Sequence, residues 1–193
     1  EEADAYRAEA RAFKQRYDAL REGERLAALI DSGYCMPHWP RPWGRAAGAV
    51  EQLVIDEELP DLERPQLGIG TWVLLTILQH ATDDQIARWI RPSLEGELYW
   101  CQLFSEPNAG SDAAAIQTKA TRVDGGWLVN GQKVWTSGAQ NSTHGLATVR
   151  TDPAAAKHAG VSTFAIDMRA TGVEVRPLRE ITGEALFNEV FFD

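Results

Sequence analysis

The sequence predicts an α+β protein: an N-terminal α-helical domain over residues 1–96, followed by an antiparallel β-barrel or sandwich domain over residues 97–193. Two observations carry that prediction. Up to Glu95-Gly96 the apolar residues recur at spacings of three and four, with Pro or Gly between the runs. From Leu98 onward the chain consists of short runs rich in Val, Trp, Phe and Thr, separated by turn residues, with no helical stretch between them.

The helical elements follow in order. Tyr6, Ala10, Phe13, Tyr17 and Leu20 share one face, and Leu26, Ala27 and Ile30 extend it until Ser32-Gly33 stops it. The stretch CMPHWPRPWG (Cys35 to Gly44) carries three prolines, which forbid regular helix and leave an ordered, aromatic-rich loop. Ala46, Val50, Leu53 and Val54 resume helical spacing until Pro60. Gly68 to His80 is apolar almost all round, the pattern of a buried helix. Thr82 followed by Gln85 has the form of a capping box, and Ile86, Trp89 and Ile90 then make an amphipathic stripe ending near Pro92.

Strand candidates come next. Asp124-Gly125-Gly126 separates Thr118 to Val123 from Trp127 to Asn130, and Asn130-Gly131 reads as a second hairpin turn before Gln132 to Ser137. Gly145 to Arg150, Val161 to Asp167, Val173 to Leu178 and Phe187 to Phe192 complete the set. Asp152-Pro153 opens a loop between two of them, and Thr171-Gly172 makes a turn.

Composition excludes several functions. With 28 acidic against 19 basic residues the formal charge is −9, which argues against nucleic acid as a partner. Two cysteines, Cys35 and Cys101, exclude a disulfide scaffold, and the four histidines have no metal-like spacing, so no metal is expected. GxSxG, P-loop and GxGxxG motifs do not occur. The most apolar stretch, Ile69 to Leu78, is too short to span a bilayer, and the acidic start EEADAYRAEARAF lacks a signal-peptide layout; a cytoplasmic location is the expectation.

Two runs could carry chemistry. Gln102 to Asp112 (QLFSEPNAGSD) offers the hydroxyl of Ser105, a Pro-fixed bend, a glycine at Gly110 where a ligand can approach backbone, and a second hydroxyl at Ser111. Such a row suits a flat heteroaromatic cofactor, and it equally suits a turn closing a β-arch. Gln132 to Gly138 (QKVWTSG) places Trp135 on a strand, where it is either core or a wall against an aromatic ring, with Thr136 and Ser137 able to bond that ring's edge. Glu106 and Asp112 read better as partners for turn amides and basic neighbours than as a catalytic carboxylate pair.

Taken together and in this order, the motifs resemble the acyl-CoA dehydrogenase family. The match rests on SEPNAGSD (Ser105 to Asp112), NGQKVWTSG (Asn130 to Gly138), RTDP (Arg150 to Pro153), TGVEVRPLREITG (Thr171 to Gly183) and FNEVFFD (Phe187 to Asp193). The resemblance is firm from Trp100 onward and looser in the helical half. It implies FAD as cofactor. Gln102, Phe104 and Ser105 would run along the flavin, with Ser105 donating to its pyrimidine edge; Gly110 and Ser111 would mark the turn where flavin meets thioester; Trp135, Thr136 and Ser137 would pack on and bond the ring. Ser111 and, in the loop after Pro153, His158 would contact substrate. Phe104, Gln102 and Thr136 depart from the family's usual residues, which bears on the pocket's shape.

The family reaction is α,β-dehydrogenation of an acyl-CoA thioester, with electrons passed to an electron-transfer flavoprotein or similar acceptor. The family's base is a glutamate of a C-terminal helical domain that would begin beyond Asp193, so no catalytic residue is expected among these 193 and the segment by itself should hold flavin poorly. The alternatives are an acyl-CoA oxidase, a non-catalytic partner subunit of a heteromer, and a helix-plus-β binding module without flavin. Cys35 to Gly44 and Thr71 to Gln79 are candidates to line the acyl route, with Trp39 and Trp43 either walling a bulky group or packing. The motif wording resembles actinobacterial members, where sterol-derived or branched acyl groups are common substrates. Homo- or hetero-oligomers of such subunits are expected.

Overall fold

Five helices precede seven strands in the computed structural model, which describes residues 2–193; Glu1, the first residue of the acidic start, lies outside them. The chain divides into two units, one running through Gly68 and including Leu74–Glu97, the other made of Ile69–Val73 and Leu98–Asp193.

In the first unit α1 (Glu2–Asp18) buries Ala10, Phe13 and Tyr17, three of the five residues on its expected face. The face does not continue in one helix. A tight turn in which Leu20 N–H donates to Tyr17 O, at 3.1 Å, interrupts it, and α2 (Glu22–Asp31) starts anew to bury Leu29 and Ile30. Gly33, at φ +76°, ends α2 in the left-handed region that glycine tolerates. The proline-rich loop that follows is ordered around Trp39, which is fully buried, as is Cys35. Burial thus accounts for Trp39 by packing.

Helix α3 (Ala49–Glu58) departs from its expected stripe. Val54 and Ile55 are buried, but Val50 and Leu53 are 49% and 65% exposed, and the third inward residue is Glu51. The cause is an ion pair. Arg45 donates to Glu51 at 2.7 Å with both side chains under a tenth exposed, lies over the Tyr34 ring, and also reaches Glu9 at 2.9 Å. Satisfying that buried guanidinium turns the helix so that a carboxylate faces inward. Helix α4 (Gly70–His80) buries Val73, Leu74 and Ile77. Helix α5 (Asp83–Leu94) opens with the expected capping box: Gln85 N–H donates to Thr82 Oγ1, and Thr82 N–H to Gln85 Oε1 at 3.0 Å. It runs two residues past Pro92, because a proline this close to the C-terminus removes a single intrahelical bond and leaves the last turn closed by Glu95 N–H on Arg91 O.

The second unit is a curled seven-stranded half-barrel. Its strands are β1 (Trp100–Leu103), β2 (Lys119–Val123), β3 (Gly126–Ser137), β4 (His144–Arg150), β5 (Val161–Asp167), β6 (Val173–Leu178) and β7 (Phe187–Phe192). Their order is β1-β4-β2-β3-β7-β6, with β5 on the other side of β4. The expected runs for β5, β6 and β7 coincide with the observed strands. The sheet is mixed, where antiparallel pairing was expected throughout: β1 lies parallel to β4, and β2 meets β4 in parallel at Lys119 and Arg150. Cys101, Leu103, Ala120, Ala147, Val149, Val190 and Phe192 form its core. Cys35 and Cys101 are both free and buried, and burial pushes each thiol up to about 11.

One expected turn is absent. Asp124-Gly125 is the tip of the β2–β3 hairpin, since Val123 pairs with Gly126, but Asn130-Gly131 lies inside β3. Here the strand changes partners: residues 126–130 pair with β2, and 131–137 with β7. Gly131 sits at φ +149°, and a Cβ there would come within 2.6 Å of Thr118 Oγ1 and 2.7 Å of Thr118 Cα. Glycine serves backbone crossing at a sheet corner, the other use of a glycine in a strand.

Gly131→Ala is accordingly expected to lower unfolding free energy by about 2–4 kcal/mol. Gly126→Ala in the same strand, where a Cβ meets nothing within 4 Å, should be close to neutral. Urea unfolding of the two variants side by side checks this.

Candidate active site

The first motif begins where β1 ends. Glu106 and Ala109 exchange backbone hydrogen bonds at 2.8 and 3.1 Å, folding Pro107-Asn108 into a closed turn. The plain turn reading of this run is therefore correct for its middle, and the residues on either side remain available. Ser105, before the turn, is half-buried; Gly110 and Ser111, after it, are exposed. Among the described residues neither the amide nor the hydroxyl of Ser105 donates a hydrogen bond.

The second motif reaches the first through a buried ion pair. Lys133 is 0% exposed, and its Nζ donates to Glu106 Oε1 at 2.8 Å, Phe104 O at 3.1 Å and Thr148 O at 2.7 Å. All three ammonium protons are thus used. Glu106 also accepts from the amides of Gln117 and Thr118 at 2.6 and 3.0 Å. Burial pushes the Glu106 carboxyl up, but Lys133 and those two residues outweigh it, and the net direction is down; burial pushes Lys133 down, partly offset by Glu106. Glu106 fills the structural role expected of it. No side-chain bond joins it to Asp112, whose carbonyl accepts from Ala115 N–H at 3.0 Å.

Beyond Lys133 the strand bulges. The β3–β7 register shifts between Lys133 and Thr136, so Val134 and Trp135 together oppose one residue of β7. Val134 N–H leaves the ladder and donates to Ser105 O at 2.9 Å. Trp135 takes φ +60°, a conformation costly for a bulky residue, and the residue is 63% exposed with its ring edge-on to Phe187 at 6.1 Å. Thr136 is buried, its carbonyl accepting from Asn188 Nδ2 at 2.9 Å and its Oγ1 lacking a partner, while Ser137 is exposed. The Ser105 carbonyl is therefore held against Val134, the residue that precedes Trp135.

The remaining predicted residues are placed as follows. Gln102 is half-buried on β1, and the Phe104 ring packs edge-on to Trp72 at 5.6 Å. His158 is exposed in the short turn Lys157–Gly160. That turn is tied to the segment after Ser111 by Arg150, whose guanidinium donates to Ala114 O at 2.6 Å, Ile116 O at 3.1 Å and Lys157 O at 3.1 Å. Lys133, Arg150 and Asn188 were not singled out from sequence. The available signal was the pairing of an acidic residue in one motif with a basic residue in the other.

Residues 101–193 match the family model for the acyl-CoA dehydrogenase middle domain. The chain belongs to the acyl-CoA dehydrogenase family. It is 56% identical over 177 residues to acyl-CoA dehydrogenase FadE34 of Mycobacterium tuberculosis, covering 91% of this chain and 25% of that protein. With acyl-CoA dehydrogenase IpdE1 of Mycolicibacterium smegmatis it shares 39% over 179 residues, covering 86% of this chain and 46% of the relative. Among solved structures it superimposes on the ChsE4–ChsE5 complex from Mycobacterium tuberculosis with a TM-score of 0.70 and 28% identity, over 100% of this chain and 53% of that one. The Tcur3481–Tcur3483 steroid acyl-CoA dehydrogenase gives the same TM-score at 25% identity, over 99% and 54%. The chain thus spans a quarter to about half the length of these relatives.

The residues present fit the family's flavin. An exposed Trp135 on a strained bulge and the hydroxyls of Ser105 and Ser137 together suit a flat ring with a polar edge.

Two outcomes are expected. Glu106 in the fold titrates below its unperturbed 4.5, so its contribution to stability is full above that value and is lost as pH falls through the lower folded-state value. Glu106→Gln should remove this part of the acid dependence, seen as a flatter fall in unfolding free energy between roughly pH 5 and pH 2. Arg150→Met should loosen both loops it holds, raising amide hydrogen exchange over residues 112–116 and 157–160 while leaving β6 and β7 protected.

Proposed function

We propose that the intact protein is a FAD-dependent acyl-CoA dehydrogenase that oxidises the α,β bond of an acyl-CoA thioester. The observation that supports this reading is the Val134–Ser105 hydrogen bond, which ties the Ser105 backbone to the residue preceding a strained, exposed Trp135. FAD supplies the hydride acceptor, its N5. Gln102, Phe104, Ser105, Gly110 and Ser111 hold one edge of the ring, and Trp135, Thr136 and Ser137 hold the other. Ser105 fixes a donor where negative charge collects, and a fixed donor stabilises the transition state without reorganising. Trp135 excludes water from one face of the ring. Ser111 and His158 contact the thioester substrate, their two loops held together by Arg150. The carboxylate base is not among these residues.

A sterol-derived acyl group is the substrate class favoured by the relatives, one of which is described as a steroid acyl-CoA dehydrogenase. Electrons pass to an electron-transfer flavoprotein or a similar acceptor. A second reading is favoured by the ChsE4–ChsE5 relative, a complex of two differently named chains: this protein is one subunit of a hetero-oligomer and supplies the fold without the base.

Anaerobic titration of the purified intact protein with a panel of straight, branched and steroid side-chain CoA thioesters tests the proposal. Bleaching of bound flavin by one class is expected, and Ser105→Ala should slow that bleaching about ten- to a hundredfold. Protein that carries no flavin, or flavin that no thioester bleaches, would sink the first reading; bleaching only after a second subunit is added would establish the second. Reoxidation of the bleached protein in air within a single turnover would mark an oxidase instead.

A further inference from the structure

The most unusual group in the sheet unit is Lys133, a lysine with no solvent exposure whose only carboxylate partner among the described residues is Glu106. Satisfying its three protons also has a directional consequence. Besides Glu106 and Thr148 O it holds the carbonyl of Phe104, at 3.1 Å. That carbonyl belongs to the same peptide group as the Ser105 N–H. In a trans peptide the two point in opposite directions, so drawing the carbonyl toward Lys133 aims the amide the other way. The amide is otherwise unbonded among the described residues, and its own residue's carbonyl is fixed by Val134 N–H.

We propose that the buried Lys133 ammonium polarises the Phe104–Ser105 peptide, strengthening the Ser105 amide as a donor to the flavin, and that Glu106 sets how much of that charge is felt. The inference rests on the flavin reading above. A charge-assisted bond to the carbonyl strengthens the donor at the far end of the same peptide, and low local dielectric amplifies the effect. Lys133 touches the Phe104 carbonyl directly; Glu106 approaches only through Lys133 and the amides of Gln117 and Thr118. Lys133 and Glu106 are thus positioning residues with opposite electrostatic signs. A purely structural pair would lose stability when either member is removed. A polarising pair would also move the flavin's preference for its reduced form, in opposite directions.

The test uses the intact flavin-loaded protein and measures the flavin midpoint potential at roughly neutral pH, alongside thermal unfolding. Lys133→Met should weaken binding of reduced relative to oxidised flavin about tenfold, read as a potential lower by about 30 mV for a two-electron couple. Glu106→Gln leaves the ammonium on Phe104 O unopposed and should raise the potential. Potentials that do not move, or that move in the same direction in both variants, overturn the inference even though both variants are less stable. If Lys133→Met does not fold, Glu106→Gln decides alone: an upward shift supports the polarisation, and no shift or a downward one overturns it. A wild-type protein without flavin sinks the flavin reading and this inference with it, whereas bound flavin with the wrong signs sinks only the latter.

Discussion

The sheet unit depends on a single buried cation. Lys133 is drawn out of water by three acceptors on three separate segments: the end of β1, the turn that follows it, and β4. An ammonium in that setting is costly unless every proton is used and a counter-charge is adjacent, and both conditions are met. The geometry is therefore over-determined. Removing either charge would leave the other buried and unpaired, a loss of about 3–5 kcal/mol in comparable cases. The pair gives the two motifs one fixed spacing, which hydrophobic contact, being non-directional, does not.

The second constraint is β3, a strand that serves two partners. Gly131 lets the backbone pass against Thr118 where pairing changes from β2 to β7, and three residues later the bulge displaces the alternation. The two irregularities act together. The first bends the strand toward β7, and the second puts the Trp135 indole outside while Lys133, two positions earlier, lies inside. In an unbroken strand those two residues would share a face. The positive φ of Trp135 is held by Val134 N–H on Ser105 O and by Asn188 on the Thr136 carbonyl.

Most of the architecture was legible because local signals agreed with the fold. The bounds of β5, β6 and β7, the Thr82 capping box and the Gly33 stop all follow from spacing and turn chemistry. What was not legible depended on partners distant in the chain. Asn130-Gly131 carries the local signature of a hairpin, and only the approach of Thr118 shows that its glycine serves a crossing. Val50 and Leu53 match a helical stripe, yet Arg45 brings Glu51 to the inside instead. The parallel β1–β4 pairing joins segments some forty residues apart and leaves no periodic trace. Within the candidate site, Ser105 and Trp135 stand out in their motifs by residue type, but a lysine inside a strand reads as solvent-facing, and Arg150 reads as a strand end; what each ties together depends on carbonyls supplied by other segments.

The two cysteines acquire a use from their placement. One lies in each unit, Cys35 among the helices and Cys101 on β1, both sealed from solvent and held as thiols far above neutral pH. Thiol reagents need the thiolate and a path to it, so each sulfur stays silent until its own unit opens. The native chain thus carries one sealed thiol in each unit, and the order in which they are labelled reads out which of the two is uncovered first.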